Sequence, residues 1–206
     1  MTLTLYSMPS SGNSYKVRLM LGFLDRTYSH VGLEYETPEL ADAHTTGALP
    51  MGKLPVLILD DGTALPESNA ILCYLADGTS WMPSDALGRA RALGWMFFEQ
   101  NRHETVIAVR AALQNYESRA HLATPQRMVE LLDSGHRVLT VMEDHLADHA
   151  WLAGDTPSVA DIALYAYTHT AGSQGGFEMH RFAAINDWLA RISALPGFVE
   201  MDDIPT

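Results

Sequence analysis

The chain has 206 residues, 47% of them apolar and only 18% charged, with a formal net charge of −12. That length buries a sizeable core without disulfides, and the acidic excess argues against nucleic acid as a partner. No apolar run is long enough to span a bilayer, the first residues lack the basic stretch and cleavage pattern of a signal peptide, and the single cysteine, Cys73, rules out an internal disulfide, a CxxC pair and a cysteine-rich zinc site.

A cytoplasmic location away from membranes is the simplest expectation from this composition. The low charge content hints at an oligomer. Only two lysines occur, Lys16 and Lys53, both in the first 53 residues. Any anionic ligand must therefore be held by a few local groups working against the global charge.

Thr2–Ser7 alternates and is rich in β formers, so it reads as a strand. Met8-Pro9-Ser10-Ser11-Gly12 is a turn. From Asn13 or Ser14 a helix follows, with Val17, Met20, Leu21 and Leu24 on one face. Tyr28–Leu33 is a second strand. Thr37-Pro38-Glu39 starts a helix, with Thr37 as N-cap and Pro38 in the first turn. Strand, helix, strand within about 30 residues is a right-handed βαβ unit.

After the loop Pro50–Pro55, Val56-Leu57-Ile58-Leu59 reads as a buried strand. Asp60-Asp61-Gly62 is a hairpin turn, Ala64-Leu65-Pro66 returns, and Glu67–Ala76 is helical. Residues 1–77 thus read β-α-β-α-β-β-α. Residues 78–85 look like a linker. Beyond it the pattern is helical: Ala86–Tyr116, Pro125–His149, Ser158–Thr170 and Phe182–Leu195, with Gly172–Gly176 as a flexible turn. An α/β domain over 1–77 followed by an all-α domain over 86–206 is the expected organisation.

Four places carry chemistry or folding information. A strand runs into Ser10-Ser11-Gly12-Asn13-Ser14 and then into a helix. Such a junction presents unpaired N–H groups and about half a positive charge, which suits an anion or a thiolate. Ordinary capping would use the same residues. Gly52-Lys53-Leu54-Pro55 precedes a buried strand, where Pro55 is either a cis turn or a trans strand start. Glu67-Ser68 opens a helix, and its free N–H groups and hydroxyl fit a carboxylate while Glu67 fits an ammonium. Ser158 and Asp161 have capping-box spacing, and Ser158→Ala is expected to cost ~1 kcal/mol.

The element order and these four motifs together resemble the cytosolic glutathione S-transferases over nearly the whole chain. The resemblance implies a thioredoxin-like N-terminal domain with an all-helical C-terminal domain, and glutathione as co-substrate with no metal. It implies that Ser11 or Asn13 contacts the glutathione sulfur, with Ser10 and Ser14 as rivals and Tyr6 structural. It assigns the Leu54 backbone, at a cis-Pro55, to the cysteinyl unit, and Lys53 to the glycyl carboxylate. Glu67 and Ser68 take the γ-glutamyl end. Leu49-Pro50 departs from the usual Asn-Pro, and residues 33–48 fit the pattern poorly.

Outside these motifs, Glu99–Glu104 is a polar patch in a long helix. Arg102 and His103 there are candidates for the substrate pocket, or for a solvated or dimer-facing surface. Trp95 and Phe98 could line an apolar pocket, although core or dimer contact suits them better. His145 and His149 share a face but lack a third metal ligand. Cys73 reads as an inert core thiol.

The resemblance therefore implies a homodimeric detoxification enzyme that activates a borrowed nucleophile. A free thiol with a pKa of about 8.5 is only ~3% ionised at pH 7, and lowering that value by two units takes about 2.7 kcal/mol. A hydrogen bond to sulfur plus a helix N-terminus can supply this. The partner would be a small hydrophobic electrophile. The alternatives are a glutathione-dependent disulfide or peroxide reductase, and a non-catalytic glutathione-binding protein.

Overall fold

The structure, a computed structural model, describes residues 3–205. It divides into two units, residues 3–77 with 194–205 and residues 78–193. Thr2, expected in the first strand, lies outside the described residues.

The first unit follows the expected order: β1 (Leu3–Ser7), α1 (Gly12–Phe23), β2 (Tyr28–Gly32), α2 (Pro38–Thr45), β3 (Val56–Ile58), β4 (Ala64–Pro66) and α3 (Ser68–Ala76). The strands form one sheet in the order β2-β1-β3-β4. β1 and β2 are parallel, while β3 is antiparallel to both β1 and β4. Period-two alternation sorts the side chains of β1: Leu3, Leu5 and Ser7 are buried, and Tyr6 packs on the opposite side with Leu33, Ala43, Leu49 and Val56. α2 begins as its sequence predicts, with Thr37 accepting from the Leu40 N–H and Pro38 in the first turn. The hairpin turns at Gly62, whose φ of +83° suits glycine.

The last residues belong to this unit rather than to the helical one expected to run to the C-terminus. The reason is polar anchoring. Tyr15 donates its hydroxyl to the Val199 carbonyl at 2.7 Å, and Arg18 donates to the Met201 carbonyl at 2.9 Å. Phe23 and Phe198 rings meet 6.4 Å apart.

The second unit is helical: α4 (Ala86–Phe98), a π-helical turn (Glu99–His103), α5 (Ile107–Asn115), α6 (Pro125–Leu146), α7 (Val159–Thr168), α8 (Ala171–Gly175) and α9 (Ala183–Ser193), with short 3-10 turns at Glu117–Leu122 and Met179–Arg181. The segment read as a linker packs into this unit, because the Trp81 carbonyl accepts from the Val159 N–H and Asp85 caps α4.

Two expectations are corrected here. The long helix over 86–116 is interrupted by the π turn, which buries both Glu99 and His103. The expected flexible turn at 172–176 is a short helix closed by left-handed Gly176. α7 carries its capping box: Ser158 caps the helix, and Asp161 accepts from the Ser158 N–H.

Candidate functional site

Strand register gathers the site. Tyr6 pairs with Val56, and Val56 pairs with Pro66. The loop after β1, the loop before β3 and the start of α3 therefore meet at one end of the sheet. These are the segments that carry Ser11 and Asn13, Lys53 to Pro55, and Glu67 with Ser68.

Within the first loop the polar groups sort themselves by their partners. Ser10 is engaged by Glu34, its hydroxyl donating to Oε1 at 2.7 Å and its N–H to Oε2 at 3.1 Å. Ser14 accepts from the Met8 N–H at 2.9 Å. Ser11 is the N-cap of α1, yet its side chain caps nothing and forms no hydrogen bond among the described residues. It is half-buried at the opening of α1. Asn13 is tied inward, its Oδ1 accepting from Lys16 Nζ at 2.8 Å and from the Ser68 hydroxyl at 3.1 Å. The loop and the start of α3 are thus joined directly through side chains.

The Leu54–Pro55 bond is cis. The Leu54 side chain packs into the cluster around Val56. Its backbone takes no hydrogen bond from the rest of the chain among the described residues. Lys53 is exposed beside it. Glu67 is exposed and stands at φ +70°, a left-handed conformation uncommon for a residue with a Cβ. Ser68, at the first position of α3, is buried.

Behind the loop lies a pair of cations missed by motif reading. Lys16 and Arg18 are both fully buried in α1. Arg18 donates to Ser7 Oγ at 3.1 Å, to the Pro9 carbonyl at 3.2 Å and to Met201. Burial pushes its pKa down, against the pull of Tyr28, Tyr15, Asp202 and Glu34. The signal available in the sequence was that Lys16 is one of two lysines in the chain. Cys73 is half-buried, and burial raises its thiol pKa, so the protein's own sulfur stays protonated.

The helical unit treats its candidates differently. His103 is fully buried, with Nε2 3.0 Å from Thr168 Oγ. Thr168 spends its proton on the Leu164 carbonyl, so it accepts from the imidazole. His103 is therefore a bundle residue and not a pocket one. Arg102 is exposed and covers the Phe98 ring at 5.4 Å. Trp95 and Phe98, with Arg91, Val141, His145 and Leu152, line an open cavity of about 390 Å³. His145 stacks on His149 at 4.3 Å, and no cluster of metal-ligating side chains occurs among the described residues.

Comparison with known proteins bears on the whole chain. Residues 5–80 match the glutathione S-transferase N-terminal domain and residues 107–196 match the C-terminal domain. The chain belongs to the glutathione S-transferase family. It is 30% identical to a maleylacetoacetate isomerase of Rhizobium meliloti, over 81% of this chain and 80% of that protein. A glutathione S-transferase structure from Pseudomonas fluorescens superimposes with a TM-score of 0.91, at 40% identity over 98% of this chain and 99% of that one. A Burkholderia graminis glutathione transferase, solved with two glutathione molecules per subunit, gives 0.84 at 28% identity, covering 99% and 88%. The family assignment accounts for the thioredoxin-like and all-helical pair of domains.

Proposed function

We propose that the protein is a glutathione transferase that holds glutathione along the end of the sheet and ionises its thiol at the opening of α1. The observation that carries this is Ser11: an N-cap serine whose hydroxyl caps nothing and is left to donate to sulfur. Asn13 is the second donor. The Leu54 backbone, which takes no hydrogen bond among the described residues, suits the cysteinyl unit as an added strand. Lys53 answers the glycyl carboxylate, and Glu67 with Ser68 and the N-terminus of α3 answer the γ-glutamyl end.

The serine keeps its proton and stabilises the thiolate by donation. The thiol proton passes to solvent. The thiolate then forms a C–S bond with a small hydrophobic electrophile, whose leaving group departs with the bonding pair. Arg102 is the remaining candidate of the helical unit for contacting that substrate. The family also supports a working homodimer in the cytoplasm, the first of which sedimentation tests.

A second reading, glutathione-dependent disulfide reduction, is favoured by the Burkholderia graminis relative that binds two glutathione molecules per subunit. Turnover of a chlorinated aromatic against a glutathione mixed disulfide separates the two. Calorimetry with glutathione, followed by ultraviolet titration of the bound thiol in Ser11→Ala and Asn13→Ala, tests the shared core. Absence of binding, or an unshifted thiol in the unmodified protein, rejects it.

A further inference from the structure

The turn between β1 and α1 is fixed one residue at a time. The Met8 N–H donates to Ser14 Oγ at 2.9 Å, and the Met8 carbonyl accepts from the Ser11 N–H at 3.1 Å. The Pro9 carbonyl accepts from buried Arg18 at 3.2 Å. Ser10 is held by Glu34: its N–H donates to Oε2 at 3.1 Å and its hydroxyl to Oε1 at 2.7 Å. An amide and a hydroxyl carry one proton each, so both protons of Ser10 are committed to this one carboxylate.

Strand pairing brings Glu34 to the turn. Ser7 at the end of β1 pairs with Gly32 at the end of β2, and the Leu33 N–H donates to the Ser7 carbonyl at 2.9 Å. Glu34 is the next residue, and its Oε1 also accepts from the Tyr35 N–H at 2.7 Å, which orients the carboxylate. Charge-assisted bonds of this kind are about twice as strong as neutral ones. Ser11 follows Ser10 directly, and its hydroxyl forms no hydrogen bond among the described residues. We propose that Glu34 is a positioning residue of the thiol site: by gripping Ser10 it sets Ser11 at the opening of α1, where its hydroxyl meets the ligand sulfur.

This rests on the reading of Ser11 as the sulfur donor in glutathione transfer. The charge of Glu34 works against that task, because a carboxylate near a thiolate disfavours it. A role through charge alone would make the bound thiol more acidic when Glu34 is removed. A positioning role has the opposite sign, since the donor loses its place.

The test begins with the unmodified protein, which must bind glutathione and S-methylglutathione and lower the pKa of bound glutathione, and with Ser11→Ala, which must raise it. Failure there removes the reading of the thiol site itself and is seen before any Glu34 variant is made. Glu34→Ala is then expected to raise the bound-thiol pKa by about one unit, a tenfold change in the equilibrium. S-methylglutathione, which has no proton to lose, should keep its affinity within about threefold. The loss in kcat/KM at neutral pH should be recovered at alkaline pH. Glu34→Gln, which keeps one acceptor oxygen for the Ser10 hydroxyl, should raise the thiol pKa by less.

In a Ser11→Ala background, Glu34→Ala should shift the thiol no further. A bound thiol that becomes more acidic or stays unmoved in Glu34→Ala overturns the proposal, as does an equal shift with and without the Ser11 hydroxyl. A parallel loss of S-methylglutathione binding with the thiol unmoved would mark Glu34 as merely structural. Should Glu34→Ala fail to fold, Ser10→Ala carries the same titration from the other end of the contact.

Discussion

Gly22, near the end of α1, and Gly197, in the last segment of the chain, pack backbone to backbone: a Cβ built on Gly22 would stand 2.7 Å from the Gly197 carbonyl oxygen. Gly197 itself sits at φ +85°, a conformation that disfavours any side chain. This contact, with the Tyr15–Val199 and Arg18–Met201 hydrogen bonds, fastens residues 194–205 to the first helix. The obstacle to a larger residue is backbone, which cannot rotate away. Gly22→Ala is therefore expected to destabilise the fold by about 1–3 kcal/mol. Thermal denaturation reads the loss, and hydrogen exchange should quicken at residues 197–203. An unchanged melting point with unchanged exchange would contradict the contact.

Asp161 is the polar centre of the helical unit. Its fully buried carboxylate accepts from the Leu152 N–H, the Ser158 N–H, the Ser158 hydroxyl and the Trp188 indole, all at 2.9–3.0 Å. Burial pushes its pKa up, and those four donors pull against the rise. Asp161→Ala strands buried donors, so a loss of roughly 3 kcal/mol is expected. Ser158→Ala removes one donor and one cap and should cost about 1–2 kcal/mol. Because the two residues share bonds, the double variant should lose less than the sum, as a denaturant-unfolding cycle would reveal.

The sequence made the backbone of the first unit legible because each of its elements is punctuated by its own residues. Thr37-Pro38 starts α2, Gly62 turns the hairpin, and Ser158 with Asp161 opens α7 in the second unit. The loops that carry the candidate residues were placed for the same reason: Ser11, Leu54, Pro55, Glu67 and Ser68 stand at element ends. What stayed hidden depends on side chains meeting across the fold. Periodicity cannot announce that Lys16 turns inward to Asn13, or that Tyr15 and Arg18 reach residues 199 and 201. His103 misled for the converse reason. Its polar neighbours suggest an outward face, but the π turn adds a residue to the helical repeat and carries both Glu99 and His103 into the bundle.

Ser11→Ala should separate function from stability. An N-cap serine replaced by alanine ordinarily costs about 1 kcal/mol, because the helix loses an acceptor for its first N–H groups. The Ser11 hydroxyl is no such acceptor. Its removal is expected to change stability by less than about 0.5 kcal/mol. The thiol of bound glutathione should meanwhile rise toward its free value. A melting point that falls as for an ordinary cap, with the thiol unmoved, would return Ser11 to a structural role.

Acid sensitivity should trace in part to His30. Its Nε2 lies 3.0 Å from Ser7 Oγ, and Arg18 donates to that same hydroxyl oxygen. This leaves the serine proton for the imidazole, which accepts it as the neutral ring. Burial first, and the Arg18 charge second, lower the His30 pKa against the opposing pull of Pro205. The unfolded chain thus takes up a proton near pH 6.5 that the native state refuses until lower pH. Native stability is then complete above about pH 6.5 and falls as the pH drops below it toward the lower native value. His136, lowered by burial and by Arg181, adds to the same trend. Melting points measured from pH 8 down to pH 5 should decline, and His30→Gln, which keeps an acceptor and cannot charge, should flatten the decline. Identical slopes in the two proteins would show that His30 does not titrate in this window.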